Sequence, residues 1–200
     1  MKKLVLLAVL ALALPTAVFA GSSIDYTNGG GTLAGSNSGL SLSGSVLIAV
    51  NGNGGLITGN DLGSVSFQTG ALSSGSLQNG GTFAAGGWFT ITGNGSNGVP
   101  TGTLFTGTFS GPVSWTLVTL ANGTHNYTLT GTLSGTTASG YSAVGVTVQL
   151  TVNTGKGFFN GCTKISSGDS SVVVPEPGSL SLLGTGLLAM GGMIRRKLKV

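Results

Sequence analysis

From Val144 to Val152 every second residue is a large aliphatic: Val144, Val146, Val148, Leu150 and Val152 are separated by Gly145, Thr147, Gln149 and Thr151. Such a period of two sends alternate side chains to opposite faces of an extended chain, so the stretch is a strand with one buried and one wet face. The pattern recurs. Tyr127, Leu129, Gly131 and Leu133 alternate with Thr128, Thr130, Thr132 and Ser134, and Leu40, Leu42, Val46, Ile48 and Val50 are set against Ser41, Ser43 and Ser45. Shorter strands are expected at 63–69, 87–92, 102–109, 112–119 and 169–174. Turns fall at Asn51-Gly-Asn-Gly-Gly, at Gly93-Asn-Gly-Ser-Asn-Gly and at Asn122-Gly, where residues tolerant of positive φ cluster.

No helical period appears between these strands, and sheets wet on one face are antiparallel ones. The expected fold is all-β, an antiparallel, jelly-roll-like β-sandwich over residues 21–174. The alternative is a β-solenoid, suggested by Thr106-Gly-Thr-Phe-Ser-Gly111 and Thr130-Gly-Thr-Leu-Ser-Gly135. A solenoid needs three or more coils at a steady period, and only this pair stands out, so the sandwich is preferred.

The two ends read differently. Met1-Lys2-Lys3 is a cationic start, Leu4 to Leu14 an apolar run, and Val18 and Ala20 are small residues at the −3 and −1 positions. This is the order of a secretory signal peptide, residues 1–20, cleaved between Ala20 and Gly21. At the other end Pro175-Glu176-Pro177 precedes an apolar run at 180–194, followed by Arg195, Arg196 and Lys197. A breaker, a greasy helix and a cationic stop form a transmembrane tether that leaves the preceding domain outside under the positive-inside rule. The run is shorter than a stable span requires and carries four glycines, as befits a temporary anchor. Pro175 and Pro177 disfavour helix in the residues before them, leaving an extended peptide that a protease can bind.

Residues 175–200 closely resemble the PEP-CTERM protein-sorting signal of Gram-negative bacteria that make exopolysaccharide. The resemblance covers the tail alone. It implies recognition of Pro175, Glu176 and Pro177 by exosortase, a membrane-embedded cysteine transpeptidase-like enzyme, and removal of the tail. With signal peptidase at the other end, exosortase is then a processing partner. The membrane is a transient one, and exopolysaccharide forms the surroundings.

The formal charge of +4 is a property of the ends. Between residues 21 and 174 only Lys156 and Lys164 oppose Asp25, Asp61 and Asp169, a net charge of −1. A nucleic-acid partner is excluded, because binding phosphates requires clustered Lys and Arg. Charged residues make up 6% of the chain and solubility falls to Ser, Thr and Asn, which suits an extracellular setting.

The chain has one histidine, His125, one cysteine, Cys162, and one glutamate, Glu176. Transition-metal centres need three or four ligands from such residues, so neither metal nor cofactor is expected. Calcium at Asn60-Asp61 lacks any recurring ligand motif. A glycosidase needs two opposed carboxylates, and the three aspartates are scattered in sequence. His125 lies in Asn122-Gly-Thr-His-Asn, expected as a solvated turn, and no G-x-S-x-G elbow accompanies it. No catalytic residues are assigned, and the chain is expected not to be an enzyme.

The expected function is that of a structural protein of the envelope or matrix. The alternative is a carbohydrate-binding or adhesive module using an exposed aromatic. Trp115 is in phase with Val113 and Leu117 and belongs to the core; Trp88, after Gly86-Gly87, is the candidate for stacking on a sugar ring, although core packing is favoured for either.

Overall fold

In the computed structural model, residues 22–52 and 54–174 are described. The signal peptide with Ala20 and Gly21, the sorting residues Pro175, Glu176 and Pro177, the expected transmembrane helix, and Arg195, Arg196 and Lys197 lie outside them. Among the described residues no helix is long and apolar enough to cross a membrane.

The strands are β1 (Ser22–Gly29), β2 (Thr32–Ser36), β3 (Gly39–Gly52), β4 (Gly55–Gln68), β5 (Leu72–Ser76), β6 (Gly80–Phe83), β7 (Gly86–Asn94), β8 (Thr101–Phe109), β9 (Val113–Thr119), β10 (His125–Thr137), β11 (Ser142–Asn153), β12 (Cys162–Lys164) and β13 (Ser167–Val174). Every stretch expected as a strand is one. The all-β, antiparallel expectation holds, but the strands do not divide into two facing sheets. They form one hydrogen-bonded network in which β10-β11-β13-β1-β3-β4-β7-β8 closes on itself as an antiparallel barrel of eight strands. The solenoid alternative also fails, since it would need parallel rungs. Alternation serves a sandwich and a barrel equally well; the difference is that β13 pairs with both β11 and β1, and closure removes the edges an open sheet leaves unpaired.

Two strands of the ring also carry branches. The first half of β3 pairs with β2, which pairs with β12, while its second half pairs with β1. The first half of β10 likewise leaves β8 for β9, which leads through β6 to β5.

The core has two aromatic centres. Phe67 of β4 stacks on Phe89 of β7 and meets Phe109 of β8 edge-on, both with ring centroids 5.9 Å apart. Beneath the branch, Trp115 of β9 stacks on Tyr127 of β10, and Phe159 packs edge-on against Trp115. Trp115 is buried, as its phase with Val113 requires.

Two strands expected to alternate over their length, β3 and β11, switch faces partway along. Leu40 and Leu42 are buried, but after Gly44 the inward residues are Ser45 and Leu47, while Ile48 is turned outward. The expected shared face of Leu40, Leu42, Val46, Ile48 and Val50 is therefore broken. A bulge between Leu42 and Ser45, with Gly44 at φ 66°, inserts one residue and exchanges the two faces. In β11 the same device acts at Gly145, φ 73°: Val146, Val148, Leu150 and Val152 point inward, and Val144 is left exposed.

Candidate binding groove on the barrel wall

Because Leu129, Leu133, Val146, Val148 and Leu150 fill the interior, the residues between them must face out. Pairing then arranges these outward residues in rows. Ser114 of β9 lies opposite Thr130 of β10, Thr130 opposite Gln149 of β11, and Gln149 opposite Asp169 of β13. A second row runs Thr132, Thr147, Ser171. Thr27 of β1 extends the first row, its Oγ1 donating to Asp169 Oδ1 at 2.8 Å. Asp25 of β1 lines the same wall as Asp169 and Ser171 of β13.

These rows line a groove of about 680 Å³ across β9, β10, β11, β13 and β1, with Pro112 at one end. Its outward side chains offer two carboxylates, one amide and several hydroxyls. No Lys or Arg lines it. Both carboxylates are acceptors only, whereas the hydroxyls and Gln149 can donate or accept. The groove thus carries negative potential and a dense set of hydrogen-bonding groups held on rungs of a closed sheet. Two aspartates 144 positions apart in sequence gave no hint of this meeting; only the β1–β13 pairing brings them together.

The other residues singled out by the sequence lie elsewhere. Trp88 is 45% exposed on β7, opposite Gln68 of β4. Around the ring β7 is four strands from β13 in either direction, so Trp88 and the groove occupy opposite walls. His125 corrects the expectation of a solvated turn: it opens β10, is buried, and stacks on Phe158 with centroids 4.3 Å apart. Its Nδ1 has no hydrogen-bond partner among the described residues, so no carboxylate orients the ring from that side. Cys162 is an exposed free thiol on β12. Asp61 Oδ1 accepts from the Gly63 amide and from Asn94 Nδ2, which braces the stretch of β4 that bulges out of register with β3. Among the described residues no three His, Cys, Asp or Glu side chains gather as a metal site.

β13 ends at Val174, directly before Pro175, which has no amide hydrogen to continue the ladder. Comparison with curated proteins and with solved structures finds no match for this chain. The sequence model of the PEP-CTERM protein-sorting motif does match, over residues 173–197, so the chain carries that motif from the last two residues of its closing strand into the tail.

Proposed function

We propose that the chain is a non-catalytic protein of the cell envelope or extracellular matrix, exported by its leader and sorted through its tail, which exosortase removes. The observation that carries this reading is the position of the sorting motif, which begins where the barrel's last strand ends. All eight ring strands lie N-terminal to Pro175, so cleavage within the tail leaves the barrel whole. The outer rows of threonine, serine and amide support the same reading. A wall covered mainly by hydroxyls and amides, with few charges, is well hydrated and compatible with surrounding neutral polysaccharide.

Intact-mass measurement of the protein from its native host tests this. The expected mature form lacks residues 1–20 and lacks Arg195 to Val200, and Glu176→Ala leaves the tail in place. A mature form that retains both ends overturns it. A second reading, an adhesive module that stacks sugars on an aromatic, is favoured by the exposure of Trp88. Glycan binding that disappears in Trp88→Ala is its signature.

A further inference from the structure

We infer that the groove on the β9–β10–β11–β13–β1 wall is a binding subsite for an uncharged oligosaccharide segment. This inference rests on the matrix-facing reading and deepens it by naming a ligand class and its place. The lining chemistry narrows the ligand in steps. With Asp25 and Asp169 present and no Lys or Arg, the groove repels phosphates, sulfates and uronates. Its outward side chains give an apolar ligand only Pro112 and threonine methyl groups to pack on, interspersed with carboxylates and hydroxyls, since Val148 contributes from a buried position. A bare cation fits poorly, because no third carboxylate, histidine or cysteine joins Asp25 and Asp169 among the described residues.

A neutral polyol remains. Adjacent sugar hydroxyls can both donate to one carboxylate, and Asp169 keeps Oδ2 for that purpose. Gln149, Thr130 and Thr147 then supply donors and acceptors on neighbouring rungs, matching the mixed character of the remaining sugar hydroxyls. The rungs belong to a closed barrel, so these groups are placed before the ligand arrives, and little ordering entropy is spent on binding. Because Trp88 stands on the opposite wall, groove binding is independent of it.

The test is titration calorimetry on the full-length chain in detergent, with neutral hexasaccharides of glucose, galactose and mannose as probes and hexagalacturonate as the anionic comparator. At least one neutral probe is expected to bind, and hexagalacturonate to bind more weakly by about tenfold or more. Asp169→Ala with Gln149→Ala should weaken the neutral probe by about tenfold or more, while Trp88→Ala leaves it unchanged. Thr147→Arg, an outward and exposed position, places bulk and a cation in the groove; it should also abolish binding while thermal unfolding stays normal. Absence of binding by all three neutral probes at about 10 mM overturns the inference. So does binding that survives both groove variants, or binding lost in Trp88→Ala. Cleavage of a bound probe would keep the subsite but remove the non-catalytic reading. Recovery of native protein from the cytosol with its leader intact would remove the exported reading and leave the groove's chemistry standing.

Discussion

The rings of Trp115 and Tyr127 stack with centroids 4.9 Å apart and planes inclined by 15°. Both residues also hold the turn after β5: Trp115 Nε1 donates to the Leu77 carbonyl at 2.9 Å, and the Tyr127 hydroxyl donates to the Gln78 carbonyl at 2.6 Å. The same hydroxyl accepts from the Phe159 amide at 3.1 Å. One buried oxygen therefore ties the β5–β6 turn to the segment that precedes β12.

Tyr127→Phe keeps the stack and removes that oxygen, leaving a carbonyl and an amide without their partner. The expected loss is about 1–3 kcal/mol in urea unfolding, against about 3–5 kcal/mol for Trp115→Ala, which also opens a cavity. Equal stability of Tyr127→Phe and the parent would show that the bridge contributes nothing.

Gly44 separates backbone cost from register. A side chain there meets nothing within 4 Å, so Gly44→Ala carries only the cost of a positive φ, about 1–2 kcal/mol. Deleting Gly44 takes out the extra residue, so that Leu42, Ser45 and Leu47 alternate regularly against β4 and all stay inward. Cooperative unfolding is expected to persist in the deletion as in the substitution, as measured by circular dichroism melts; its loss in the deletion would show that the bulge itself is needed to shape the barrel.

Burial raises the Tyr26 hydroxyl above its usual pKa of about 10. Above that pH the unfolded chain releases the phenolic proton before the barrel does, so the folded state holds more protons. Stability is complete below about pH 10, falls as pH rises beyond it, and is lost through the folded value. Urea midpoints at about pH 8 and about pH 11 should drop less in Tyr26→Phe than in the parent. An equal drop would assign alkaline unfolding to other groups.

The two tryptophans differ in exposure, 45% for Trp88 and 1% for Trp115. Acrylamide should quench the parent's fluorescence in part and that of Trp88→Phe very little. The same substitution should change stability by no more than about 0.5 kcal/mol, as for an exposed position that contributes little to the core. Strong quenching in Trp88→Phe would mean that Trp115 is not sealed beneath the branch.

Much of the fold was legible in short stretches of sequence. Tyr127, Leu129 and Leu133 face inward as their spacing requires, and Trp115 follows Val113 into the core. The phase of β3 beyond Gly44 was not legible, because a bulge is defined by a mismatch with the partner strand and β4 supplies that mismatch. His125 was misplaced for a similar reason. The turn signal before it is real, but Phe158 comes from a distant segment to cover the ring.

By itself the sequence determined the extended backbone, its alternating faces, the turns and the chemical character of both ends, since these depend on neighbours only a few residues apart. Tertiary structure alone decided that the strands close into a ring and that Thr27 and Asp169, 142 residues apart, share a hydrogen bond. It also decided that two scattered aspartates line one groove. The physical reason is that a strand's periodicity states which side chains are hidden, while its choice of neighbour is settled by the competing pairings of all the other strands.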